Sequence, residues 1–457
     1  MVISIILARQ ISPEHYGMMT IWSVILSFGD VLVLGGLDTV LIQKEIPTKE
    51  DYSSAISLCL LRGIVLYCVL FFLAPIIAAY YEMPDLSILI RLSSLDYFCQ
   101  PFIMMGTVKS ARNMSYKAMF FSDFSATLLG GVLAFITLYF HQDVLVLIAN
   151  NTSHQVFYAV FLLLYCKDAF NLRIQKNLLP SLITTGSKVM GNGILDLLTS
   201  FVSGLFVGKR WNATEVGYSN RGQSLTQILG VETYNVVSNV LLPTFSSYQT
   251  EKDQLKAVFR KMVSLTSYIM LPLMFGLALC SKDIILLLYT DKWIAAYPFL
   301  QLSCIYYAMN PYRQLCMNLN YSVGKFSTNI AVELFRFIIS VALVILFYFD
   351  KALNLEQYTF FGSIIAVIVA VLYIITAMHS VNYTISECIK DILPSAALTV
   401  AALVPDLFIN HYFYINPLVN ILIDVMIAAA IYIILSSIFK VSIFSYLKEN
   451  ILAKIRK

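Results

Sequence analysis

Charge is scarce in this chain: Asp, Glu, Lys and Arg together make up 13% of 457 residues, about half the share an ordinary soluble surface carries. Cysteine gives no framework either. The eight cysteines, at 59, 68, 99, 166, 280, 304, 316 and 388, never fall at C-x-x-C spacing and read as small apolar packing residues. His15, His141, His154, His379 and His411 are too scattered for a metal site to be drawn from sequence. H-E-x-x-H, a Walker A loop, G-x-S-x-G and Asp-x-Asp are all missing. Those absences remove the usual markers of zinc hydrolysis, ATP-driven transport, serine hydrolysis and nucleotide-sugar transfer. No metal, cofactor or nucleic-acid partner is expected. The net charge of +4 follows from the placement of the loop cations rather than from a basic patch.

What the chain has is apolar length. Hydrophobic residues are 59% of it and the mean hydropathy is +0.76. Thirteen runs fall at 17–41, 54–80, 86–106, 118–140, 144–165, 181–207, 222–246, 262–280, 296–318, 329–349, 359–380, 389–409 and 417–439. A hydrocarbon core ~30 Å thick needs roughly 20 apolar residues per helix, so each run is long enough to cross. The opening Met1–Ala8 is apolar but under half a crossing, and reads as the end of a helix that begins upstream. The fold expected is an all-α integral membrane protein of about 14 transmembrane helices, the first one truncated.

Basic residues fix its orientation, because they stay in the cytoplasm near span ends. Alternate loops, together with the tail from 440, hold 19 Lys and Arg; the other set holds 7, among them Arg9, Lys209, Arg210 and Arg221. The C-terminus is therefore expected in the cytoplasm. Loop 166–180, the longest polar stretch on that side in the middle of the chain, divides six spans from six, with two more following. This predicts two six-helix lobes around a central cavity, at 1–175 and 176–385, and two further helices with a basic tail at 386–457. In the tail, Phe444, Leu447, Ile451 and Ile455 share a helical face with Lys448, Lys454, Arg456 and Lys457 around it. That pattern suits a helix on an anionic membrane surface, or a plain stop anchor. No outward loop exceeds about 20 residues, so there is no room outside for a soluble catalytic domain.

Several stretches carry a family resemblance. LARQISPEHYG (Leu7 to Gly17) resembles the LAR-x-L-x-P-x-x-Y/F-G signature of the polysaccharide transporter family, the O-antigen and capsule oligosaccharide flippases. LGGLDTVLIQKE (Leu34 to Glu45) is similar to that family's L-G-L-x-x-A-L-I-Q-K, with Asp38 where a small residue is usual. VGYSNRGQSL, LLPTFSSYQTEKDQLKAVFRKM, YTDKWIAAYPFLQL and NLNYSVGKFSTN follow in the family's order. The resemblance implies membership of the multidrug/oligosaccharidyl-lipid/polysaccharide exporter superfamily, in the bacterial cytoplasmic membrane. It implies a flippase, not an enzyme, that moves an undecaprenyl-diphosphate-linked oligosaccharide by alternating access. Membrane lipids, H+ or Na+, and polysaccharide assembly proteins are its implied partners. Two other readings stay open: a small-molecule or cation antiporter of the same superfamily, and a membrane polysaccharide polymerase or ligase.

A diphosphate crossing hydrocarbon needs buried cations along its path. Five cations fall inside the runs: Arg62, Arg91, Lys188, Arg313 and Arg336. All but Arg91 lie in the inner half, where such a substrate would load. Arg62 and Arg313 have no acid within four residues and are the first candidates for diphosphate contact, one per lobe, with Lys188 next. Arg336 stands three residues from Glu333, where the two can neutralise each other. Snorkelling to the headgroups is the competing reading for each. Among the acids near the midplane, Asp30, Asp196 and Glu232, the last two are candidates for ion coupling, against a plain interhelical hydrogen bond. Asp424 reads as packing, and Gly186, Gly191 and Gly193 as sites of close helix contact.

Overall fold

The computed structural model of the chain describes residues 2–44, 47–114, 116–141, 143–165, 175, 177–247, 251–412, 415–441 and 443–445, with backbone alone at 188–189, 191–193, 232, 234–247 and 407–412. The described residues form helices and turns, with no strand among them. In chain order the helices are α1 (Val2–Gln10), α2 (Pro13–Leu34), α3 (Leu37–Gln43), α4 (Lys49–Tyr81), α5 (Asp85–Ser93) and α6 (Asp96–Arg112). Then come α7 (Tyr116–Phe140), α8 (Val144–Tyr165), α9 (Leu179–Arg210), α10 (Ala213–Ser247), α11 (Lys252–Leu279) and α12 (Ser281–Tyr289). After a 3₁₀ turn (Asp291–Ala296) follow α13 (Tyr297–Ser322), α14 (Phe326–Phe349), α15 (Leu355–Val381), α16 (Ile385–Tyr412) and α17 (Pro417–Ile438).

Every apolar run read from the sequence contains helix. Among the described residues nine helices are long and apolar enough to cross a membrane. The count of about fourteen is not reached on that criterion. α13 shows why: it has 26 residues but carries Asn310, Arg313, Gln314, Asn318 and Asn320, polar groups that lower its hydropathy without shortening it. Two runs are broken. The run at 17–41 bends at Gly35 and Gly36, whose φ angles of 53° and 73° only glycine adopts without cost. The run at 86–106 divides between α5 and α6 at Ser94 and Leu95. Arg221, counted with the loops, stands inside α10, which starts nine residues before the apolar run at 222. It is 8% exposed, with its guanidinium 5.8 Å from the centre of the Tyr289 ring.

Helix starts follow local chemistry. Ser12 caps α2 with Pro13 behind it, Thr48 and Asp51 form a reciprocal capping box on α4, and Asn354 and Gln357 do the same on α15. The ends of α4, α7 and α14 away from the Lys- and Arg-rich loops carry adjacent aromatic pairs, Tyr80–Tyr81, Tyr139–Phe140 and Tyr348–Phe349. All but Tyr81 are exposed.

Contacts group the chain into two compact units, residues 1–217 and 218–457. In the first, α2 packs against α4, α6, α8 and α9, and α7 pairs along its length with α8. α9, expected at the start of the second lobe, lies against α2, α3 and α4. Residues 166–174 and 446–457, which hold most of the dividing loop and the basic tail, lie outside the described residues. Gly186 of α9 meets the break: a Cβ there would collide with the carbonyl oxygen of Gly35. The expected close-contact role fits Gly186, whereas the surroundings of Gly191 and Gly193 are outside the described residues. Gly186→Leu should cost about 1–3 kcal/mol by overpacking. A lowered thermal midpoint in detergent is the expected result; an unchanged midpoint would show that α9 can stand off from the break.

In the second unit, α11 packs against α13 and α16, α13 against α15, and α16 against α17. Phe259, Leu315, Cys316, Leu319, Tyr373 and Ala377 form one buried core, and Tyr268, Leu398, Ala402 and Tyr432 a smaller one.

Candidate functional site

α13, α14 and α15 bring three of the charged residues read from the sequence into one group. The Arg336 Nε donates to Glu333 Oε2 at 2.7 Å, the pairing their spacing leads one to expect. Arg313 is the addition. Its Nε and Nη2 both donate to Glu333 Oε1 at 2.9 Å, across twenty residues of sequence. Tyr373 of α15 donates its hydroxyl to the same oxygen at 2.9 Å. The three charged side chains are 15%, 11% and 11% exposed. Two guanidinium groups thus share one carboxylate, at a depth where a charge is costly unless it is paired or reached by water.

A neutral network on the same helices fixes that geometry. The Asn320 amide donates to Asn329 Oδ1 at 2.9 Å and to Thr376 Oγ at 3.0 Å. Ser380 donates back to Asn320 at 3.1 Å, and Asn329 donates to the Met317 carbonyl at 3.0 Å. Buried networks whose donors and acceptors are all used hold helices in one register.

The other cations stand apart. Arg62 of α4 is half-buried, with Nη1 3.5 Å from the Val33 carbonyl and its guanidinium against Gly35. It sits where the end of α2 leaves carbonyl groups and partial negative charge, a position that suits a cation on structural grounds. Arg91 donates to the Phe71 carbonyl at 3.3 Å and lies 4.7 Å from the centre of the Phe71 ring. Lys188 is placed on α9 and Glu232 on α10, but their side chains lie outside the described residues. Asp196 is exposed on α9.

Further polar groups appear that the count of intramembrane cations does not find. In the first unit, Asp30 accepts from Gln100 and Asp96 from Asn151, both at 3.0 Å. Arg112 donates to the carbonyls of Leu41, Ile42 and Lys44 at 3.0, 2.9 and 2.6 Å, closing the end of α3. In the second, Arg260 binds both oxygens of Asp391 at 2.9 Å, and Glu387 accepts from Arg260 and Lys256. Tyr383, outside the spans, donates to Asp391 at 3.1 Å; burial raises its phenol above the usual value. Asp96 carries a legible signal, a carboxylate inside an apolar run, whereas the partners of Arg112 and Arg260 are joined only by the fold.

Comparison with known proteins agrees with this architecture. The polysaccharide biosynthesis protein family matches residues 6–298. An uncharacterized membrane protein from the cps region of Klebsiella pneumoniae is 26% identical over 77% of this chain and 72% of its own length. The lipopolysaccharide biosynthesis protein WzxC of Escherichia coli K12 is 22% identical over 66% of this chain, which reaches 61% of WzxC. Among solved structures, the lipid II flippase MurJ in an inward closed conformation superimposes with a TM-score of 0.73 at 15% identity, over 96% of both chains. The relatives are named as membrane and polysaccharide biosynthesis proteins of bacteria, and the fold is one shared with a membrane flippase. With well over half of its length matched, the chain belongs to the polysaccharide biosynthesis protein family.

Proposed function

We propose that the protein is a flippase that carries a lipid-linked oligosaccharide across the cytoplasmic membrane for surface polysaccharide assembly, with an undecaprenyl diphosphate as the lipid anchor. The observation that carries the reading is the convergence of two guanidinium groups, Arg313 and Arg336, on the buried carboxylate of Glu333. A diphosphate offers several acceptor oxygens, and guanidinium forks suit them. Arg62 and Lys188 of the first unit are the further candidates for substrate contact. Asp196 and Glu232 remain the candidates for H+ or Na+ coupling. Polysaccharide assembly proteins are the expected partners.

A cation antiporter of similar fold is the second reading. The group on α13 and α14 disfavours it, since its two guanidinium groups offer donors to an anion and its one carboxylate is already held by both of them. Complementation of a flippase-deficient strain, with surface polysaccharide as the readout, separates the two. Restored polymer supports the flippase; transport of a small organic cation without restored polymer supports the antiporter.

The orientation has its own test. With 19 of the loop and tail cations on one side and 7 on the other, reporter fusions at Lys167 and after Arg456 should report cytoplasm, and one near Asn212 the outside. An outside signal at Arg456 would overturn the orientation.

A further inference from the structure

Away from the arginine group, carboxyl side chains gather in the second unit where α12 packs against α17 and α17 against α16. Asp406 of α16 is fully buried, and neither of its carboxyl oxygens has a hydrogen-bond partner. Asp424 of α17 is 2% exposed and accepts from the Cys280 thiol at 3.5 Å. The two carboxyl groups lie within electrostatic reach of each other. Cys280, at the junction of α11 and α12, is in the field of Asp424, Asp406 and Asp283 together. Two more polar atoms at this end are spare. The Ser281 hydroxyl, next in sequence to Cys280, is fully buried without a partner, and so is the amide nitrogen of Asn420, one turn from Asp424 on the same face of α17.

An ionised carboxylate placed here would have lost its water, gained no hydrogen bond and faced a second carboxylate. Each of these disfavours the charged form. Among the described residues no basic side chain pairs with Asp406. Among the described residues no set of His, Cys, Asp and Glu side chains is arranged to hold a metal ion. Asp424 accepts from Cys280, whereas neither oxygen of Asp406 accepts a hydrogen bond, so Asp406 is the member left to be neutralised. The remaining neutralising agent is the proton.

We propose that Asp406 and Asp424 form a proton-binding pair at the α12–α16–α17 junction, with Asp406 holding the proton and Asp283 and Cys280 as its titratable neighbours. This site is separate from the arginine group, and the proposal stands whatever substrate that group takes. A proton shared by interacting carboxyl groups belongs to the pair in titration. Its release would place two like charges side by side and weaken the seat of α12 on α17.

Infrared difference spectroscopy on the full chain in lipid nanodiscs reads the proton directly. At mildly acidic pH, where an ordinary Asp is already ionised, the wild-type protein should show the C=O stretch of a protonated carboxyl group, shifted in D2O and lost on alkalinisation. Asp406→Asn should lack it. The band should persist when potassium is replaced by saturating sodium at constant pH; loss of the band to sodium would assign the site to a metal cation and overturn the proposal. A flat difference between wild type and Asp406→Asn at mildly acidic pH would overturn it as well. Thermal unfolding provides the second measurement. Stability falls with rising pH wherever the folded state keeps a proton that the unfolded chain releases. The wild-type midpoint should therefore drop on alkalinisation while that of Asp406→Asn stays level. Asn replaces a neutral acid closely, so a midpoint much lower in the variant at mildly acidic pH would show that the carboxylate was ionised after all.

Discussion

Arg313→Ala should abolish surface polysaccharide while the protein stays in the membrane at its normal level. The geometry separates these two outcomes. Without Arg313, Glu333 keeps Arg336 at 2.7 Å and the Tyr373 hydroxyl at 2.9 Å, so the carboxylate remains neutralised and the helices remain tied. What disappears is one of the two guanidinium forks at the site. Arg313→Lys should restore export in part, since the charge returns without the planar fork. Glu333→Ala should behave differently. It leaves two guanidinium groups without their shared partner and should cost about 3–5 kcal/mol, the usual range for breaking a buried ion pair. Export and thermal midpoint should then fall together. Arg62→Ala serves as the comparison, because Arg62 braces the bend at Gly35. Normal export by Arg313→Ala and Arg62→Ala at matched protein levels would move the cationic path to Lys188 and Arg336.

The second large effect is on stability. Arg260→Ala should lower the thermal midpoint by an amount corresponding to about 2 kcal/mol, below the range for a fully buried pair because Arg260 is 34% exposed. The substitution removes the fork that holds both oxygens of Asp391, whose side chain is 9% exposed, and leaves the Tyr383 hydroxyl in place of a charged partner. Arg260→Lys should recover little, because a single ammonium cannot satisfy both oxygens. If Lys restores the midpoint in full, charge rather than geometry joins α11 to α16.

Much of this was legible in the sequence because a bilayer demands the same thing of every crossing helix. The runs at 118–140, 144–165 and 417–439 meet α7, α8 and α17 within about two residues at either end. The bend at Gly35–Gly36 was less so, since the apolar run continues through it and only a glycine pair marks the place. α12 and its 3₁₀ turn fall in a stretch too short and too polar to read as a crossing. For the candidate site, the i, i+3 spacing of Glu333 and Arg336 was readable, but the third member was not. Arg313 lies twenty residues away on another helix, and only tertiary packing brings it to Glu333. Asp406 interrupts the run at 389–409 in plain view, yet its isolation from every donor is a property of the folded chain.

The aromatic pairs at the ends of α4, α7 and α14 have a consequence for the lipid around the protein. Tyr80 and Tyr81, Tyr139 and Phe140 belong to the first unit, and Tyr348 and Phe349 to the second. Aromatic rings favour the headgroup level, so each unit has its own marker of depth. A bilayer thicker or thinner than the distance between those rings and the basic loops imposes hydrophobic mismatch on each unit separately, at a cost of fractions of a kcal/mol per Å. Acyl chain length thus becomes a setting that biases which tilts of the helices are cheap, before any substrate arrives.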